Sequence, residues 1–181
     1  MTCVQVGTFE ICVWDQVPGH FATLRQRTKL FEEYGLQSRG PGIITTVAIT
    51  PQGSEPVLVV SQHRELDPQS FPLGVLVVPA TGLALIGAAH RLLAYDLRGP
   101  EKLWEDHVEF GFLEFGRHDD TIVMSGELTL TAYDLQGQER WSMFVEPPWD
   151  YAVQDGQITV DVMGRVQSFG LRCGPTDGAS G

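Results

Sequence analysis

The chain has 181 residues, 43% of them hydrophobic and 19% charged, an ordinary globular composition with enough material for one real core. Twelve Lys and Arg against 23 Asp and Glu leave a formal net charge of −11. That balance argues against sequence-independent nucleic-acid binding and against anionic membranes, both of which rely on basic side chains, and leaves a basic protein as the partner such a field would attract. No stretch approaches the roughly 18 apolar residues of a membrane span. Gln5, Thr8, Glu10 and Asp15 interrupt any secretory-type apolar run at the start, and three cysteines make no disulfide framework. A cytoplasmic protein is the expectation.

Residues 2–14 read as a β-hairpin turning at Gly7-Thr8, a Gly-X pair suited to a type II′ turn. Residues whose numbers sum to 15 then face one another: Val6 with Phe9, Val4 with Ile11, Gln5 with Glu10 and Cys3 with Cys12. The last pair is close enough for a disulfide. The expected compartment favours two reduced thiols instead. Val17-Pro18-Gly19 is a turn, and the spacing of Phe21, Leu24, Leu30, Phe31 and Tyr34 predicts a helix over 21–34, stopped by Gly35. Arg25, Arg27 and Lys29, with Arg39 beyond, form a basic spot on an acidic chain. It reads as a solvated helix face, with a contact site as the sharper alternative. Gln37–Gly42 is a loop.

Residues 43–50 and 56–62 read as a strand pair around Pro51–Ser54, followed by a polar loop at 63–72. From there to Leu171, short strands follow one another at 75–78, 83–87, 91–96, 102–106, 110–115, 121–125, 128–133, 139–145, 151–154, 157–162 and 165–170. Gly- and Asp-rich turns separate them, which is an all-β meander. The plan of residues 121–141 occurs one unit earlier at 83–104 and in reduced form at 157–171. Tyr95, Tyr133 and Phe169 mark equivalent places. Residues 173–181, with Cys173, read as a flexible tail.

At Ala132, Asp134, Gly137 and Trp141 the unit resembles the repeat of quinoprotein-like β-propellers. Ala94, Asp96, Gly99 and Trp104 match again, with one extra residue at Pro100. The resemblance covers residues 74–171. It implies that Asp134 caps the turn, that Gly137 takes a positive φ and that Trp141 packs between neighbouring sheets. The expected fold is therefore a single all-β domain over 1–172. Its β-meander repeats form a small or partial propeller-like domain after an irregular N-terminal part (1–62) with one short helix; a β-sandwich is the alternative. Terminal faces of such a stack need a cover, or open edges pair with a second copy. Two and a half units do not supply quinone chemistry, and no cofactor is expected.

Candidate chemistry is sparse. His20, His63, His90, His107 and His118 form no zinc spacing, and no metal site is expected. His118-Asp119-Asp120 reads as a β-turn, where Asp side chains bind nearby backbone N–H groups. No nucleophile elbow and no phosphate loop is present. Aromatics crowd residues 110–151 and read mostly as core. Pro147-Pro148-Trp149-Asp150 reads as a surface loop whose Trp could anchor a partner. Partner contact is assigned to Trp149, Asp150 and Tyr151, and to Arg25 and Arg27. The function these features support is a non-catalytic protein-interaction module, in its sharper form an inhibitor or immunity-type protein binding a basic partner. The alternative is a small-ligand or carbohydrate-binding domain with a hydrolytic site.

Overall fold

A computed structural model describes residues 1–36, 42–65 and 71–176. Arg39, the loop positions 37–41 and 66–70, and the tail beyond 176 lie outside the described residues. The all-β reading holds: sixteen strands and one seven-residue helix are found among the described residues. No helix among the described residues is long and apolar enough to cross a membrane. The chain forms two compact units, one of residues 1–70, 77–84 and 95–103, the other of residues 71–76, 85–94 and 104–181.

The first unit begins with β1 (Thr2–Val6), β2 (Phe9–Trp14), α1 (Phe21–Arg27), β3 (Leu30–Tyr34), β4 (Gly42–Pro51) and β5 (Leu58–Glu65). These strands form one sheet of order β1-β2-β4-β5-β3. The β1–β2 register is the one expected, with Val6 opposite Phe9 and Cys3 opposite Cys12. Gly7 alone of the turn pair has a positive φ, 59°, as a type II′ turn requires. Cys3 and Cys12 are joined in a disulfide, not held as the reduced pair that the expected compartment favours. The hairpin fixes them directly opposite one another, with 4.1 Å between Cα atoms.

The helix expected over 21–34 stops at Arg27. Thr28 is extended, and residues 30–34 instead pair in parallel with β5, Leu30 with Leu58 through Tyr34 with Gln62. A seven-residue helix has no stability of its own. It is held by Leu24, which packs with Trp14, Ala48 and Val59, and by Phe21, set edge-on to Phe31. This helix covers one face of the first sheet.

The remaining strands are β6 (Leu73–Val78), β7 (Leu83–Ala88), β8 (Arg91–Asp96), β9 (Glu101–His107), β10 (Phe112–His118), β11 (Thr121–Gly126), β12 (Thr129–Asp134), β13 (Glu139–Phe144), β14 (Trp149–Gln154), β15 (Gln157–Val162) and β16 (Arg165–Gly170). They form three antiparallel sheets in chain order, β6-β7-β8-β9, β10-β11-β12-β13 and β14-β15-β16, a partial propeller-like run of meanders. Each of the eleven strands expected from the sequence is present. The largest shift is at β10, where positive φ at Phe110 (61°) and Gly111 (109°) delays the strand to Phe112.

Asp134, Gly137 and Trp141 are placed as the resemblance implies. Asp134 Oδ1 accepts from the backbone N–H of Gln136 at 2.8 Å and of Gln138 at 2.9 Å, and Gly137 has φ 82°. Trp141 is buried, donates its indole N–H to Leu171 O at 2.7 Å and meets Phe169 edge-on. Trp104 donates to Gly137 O at 2.7 Å and stacks on Tyr133. Asp96 accepts from Arg98 N at 2.8 Å, and Ala94 and Ala132 are buried. Gly99 departs from the pattern, having no positive φ, because the extra residue Pro100 lengthens that turn.

In the second unit, Val123, Leu130, Ala132 and Trp141 pack against Ile158, Val160 and Leu171. The opposite face of the last sheet carries Asp150, Gln154, Gln157, Asp161 and Ser168, all exposed.

Candidate functional site

A cleft of ≈ 460 Å³ lies where β10 and β14, each the first strand of its meander, present unpaired edges. The register builds it. Trp149 and Tyr151 alternate with Asp150, so both rings share the face of Val162 and Val160, their partners on β15. They stand nearly parallel, with centroids 6.4 Å apart and planes at 24°. Trp149 is the first residue of β14, not part of a loop, and is half-buried; its indole N–H donates to Glu127 O at 2.9 Å, which fixes the ring. Asp150 starts on the other face, but its Oδ1 accepts the Tyr151 N–H at 2.7 Å, which brings the carboxylate to the free edge of β14.

The opposite wall comes from β10 and β11. A register shift between Phe112 and Glu114 turns Leu113 outward, and Glu114 then pairs with Ser125. Glu127 follows β11, and Pro147 and Pro148, joined by a cis peptide bond, form the rim. Ser125 is only 3% exposed, lines the cleft, and makes no hydrogen bond through its hydroxyl among the described residues.

The electrostatics are one-sided. Burial, and then the charges of Glu114 and Asp150, push the Tyr151 phenol up to about 12, so it stays neutral and able to donate. Five other acids have cations of their own: Glu32 with Lys102, Glu33 with Arg25, Glu55 with Arg27, Glu105 with Arg91, and Asp120 with both Arg140 and Arg172. Glu114, Glu127 and Asp150 have no ion pair among the described residues. Behind the cleft, His118 stands edge-on to Tyr151, and its buried Nε2 has no hydrogen-bond partner among the described residues. Gly116 makes this possible, since a Cβ there would lie 3.0 Å from both His118 Nε2 and the Tyr151 hydroxyl.

Of the residues singled out from the sequence, Trp149, Asp150 and Tyr151 therefore share one site. Arg25 and Arg27 belong to the other unit, on α1. Arg25 pairs with Glu33 at 3.4 Å and lies over the Phe31 ring, and Arg27 is 3.7 Å from Glu55. Asp119 and Asp120 form the expected turn between β10 and β11. Sequence reasoning missed Glu114, Ser125 and Glu127. The one signal that could have found them is the lack of any Lys or Arg in residues 105–116, 118–139 and 141–164.

The first unit holds a second polar cluster that the sequence did not announce. Glu32 Oε2 accepts from the hydroxyls of Tyr34 and Tyr95, each at 2.5 Å, and Lys102 lies 3.3 Å from Oε1 and donates to Tyr34 at 3.1 Å. Burial pushes the Glu32 carboxyl up, but the hydrogen bonds from Tyr34, Tyr95 and Lys102 outweigh it and hold the group below its ordinary value. The donors and acceptors satisfy one another, which marks the cluster as a structural tie. Among the described residues, no group of three or more His, Cys, Asp or Glu side chains is placed to hold a metal ion.

No protein-family model and no curated protein sequence matches the chain. Among solved structures, it is similar to BamB from Moraxella catarrhalis, with 16% identity and a TM-score of 0.43 over 76% of this chain and 44% of that one. Sqt1 from Saccharomyces cerevisiae gives 15% and 0.44 over 75% and 42%. Hsv2p from Kluyveromyces lactis gives 10% and 0.43 over 75% and 43%. The chain spans less than half the length of each.

Proposed function

We propose that this protein is a non-catalytic interaction module that engages a basic partner protein through the β10–β14 cleft. The observation that carries this reading is the set of three carboxylates, Glu114, Glu127 and Asp150, left without cations beside a pair of fixed aromatic rings. Unpaired like charges around a cleft cost stability, and a cationic partner removes that cost on binding. The rings supply rigid apolar area of the kind that anchors interfaces. The net charge of −11 adds long-range attraction for the same class of partner. An inhibitor or immunity-type role, in which the partner is a basic enzyme, is the sharper form of the proposal.

The test is capture from the source lysate by the natural protein and by the triple variant E114Q/E127Q/D150N. A basic protein retained by the first and lost by the second supports the reading; identical capture by both contradicts it.

A second reading, small-ligand or carbohydrate binding, draws on another cleft of ≈ 360 Å³ in the same unit. Its wall carries the hydroxyls of Thr129, Thr131 and Ser142, with Thr131 and Ser142 2.9 Å apart, beside the exposed ring of Phe144. Ring stacking with hydroxyl contacts suits a neutral sugar. A titration with neutral oligosaccharides that moves the Phe144 resonances would favour it.

A further inference from the structure

Building on the proposed basic-partner reading, we infer that the β10–β14 cleft is specific for arginine, taking a guanidinium group in preference to an ammonium. The acceptors in the cleft are spread out. Glu114 and Glu127 come from the β10–β11 wall, Asp150 from the β14 edge, and the Ser125 hydroxyl from the most buried lining position. A guanidinium carries five N–H donors in a planar fork and reaches several such acceptors at once, whereas an ammonium is a compact point charge with three donors. Two aromatic rings, Trp149 and Tyr151, line the same cleft. The near-parallel faces of Trp149 and Tyr151 suit a flat, weakly hydrated cation that gains from stacking on a ring.

Two further features fit the same ligand. The Trp149 indole N–H is already committed to Glu127 O, so the ring offers its face and no donor. Tyr151 stays protonated well above neutral pH, so the phenol carries no charge at neutral pH and its ring face remains available to a cation. No Lys or Arg lines the cleft, so it lacks the cations that would hold an anionic ligand.

The test uses three capped pentapeptides, Gly-Gly-X-Gly-Gly with X arginine, lysine or citrulline, titrated into the ¹⁵N-labelled full chain. The Trp149 indole N–H resonance, identified by its loss in Trp149→Phe, is the reporter. The expected result is saturable movement of that resonance with the arginine peptide, binding about fivefold or more tighter than the lysine peptide, and none with citrulline, which has the shape without the charge. Glu114→Gln should weaken the arginine peptide more than the lysine peptide. Equal binding of arginine and lysine overturns arginine specificity and leaves the basic-partner reading intact. No movement with either peptide overturns both.

Discussion

The Tyr95 hydroxyl donates to the Glu32 carboxylate at 2.5 Å, a bond that joins residues 63 positions apart in sequence. Tyr95 is fully buried near the C-terminal end of β8, and Glu32 lies on β3, the strand at the edge of the first sheet. With Tyr34 and Lys102 the pair ties that edge strand into the first unit. Removing the hydroxyl by Tyr95→Phe keeps the ring's packing but leaves Glu32 one donor short. The expected loss is about 1.5–3 kcal/mol, the range for a hydrogen bond to a charged group. Urea denaturation checks it.

The same group sets an acid limit. The folded-state pKa of Glu32 lies below its ordinary value of 4.5, so the group stabilises the fold above that value, and the contribution is lost as pH falls through the folded pKa. At the other end, burial raises the folded pKa of Tyr95, Tyr133 and Tyr151 above the ordinary 10. Their contribution is complete below pH 10 and lost as pH rises beyond it. A melting profile against pH should therefore fall at both ends, and Glu32→Gln should flatten the acid limb and also weaken the alkaline one, because the Glu32 carboxylate helps to raise Tyr95.

Cys3 and Cys12 close a short loop at the edge of the first sheet. Thiol titration of the denatured, unreduced protein should find one reactive group, Cys173, in place of three. Reduction should cost about 2–3 kcal/mol by the loop-closure estimate. Three titratable thiols would show that the pair is not bonded.

These elements differ in how legible they were. Strands of the repeat could be drawn because each ends in turn chemistry that is local: Asp155-Gly156 and Met163-Gly164 both take the positive φ of a tight hairpin. The fate of residues 30–34 was not local. Leu30, Phe31 and Tyr34 suit one face of a helix as well as a strand, and pairing with Leu58–Gln62, far along the chain, decides between them. The cleft divides in the same way. Trp149 and Tyr151 stand out in the sequence, but Glu114, Ser125 and Glu127 join them only through the packing of the β10–β11 hairpin beside β14.

If the cleft carboxylates serve binding, they contribute nothing to folding. Glu114→Gln and Glu127→Gln should leave the melting temperature unchanged or raise it, because each removes repulsion without breaking an ion pair. Asp120→Asn is the contrast, since its carboxylate, held low by the hydrogen bond from Arg140 and then by Arg172, loses two cations at once. That variant should melt lower, and differential scanning calorimetry on the three proteins separates the two kinds of acid.

The most direct test of the central claim is a map of where a cation binds. Deca-arginine, titrated into the ¹⁵N-labelled protein at low salt, should move resonances centred on Leu113–Ser125 and Trp149–Tyr151. The movement should shrink as salt is raised, and it should be lost in E114Q/E127Q/D150N. Shifts scattered over all the acidic surface, and unaltered in the triple variant, would contradict the account.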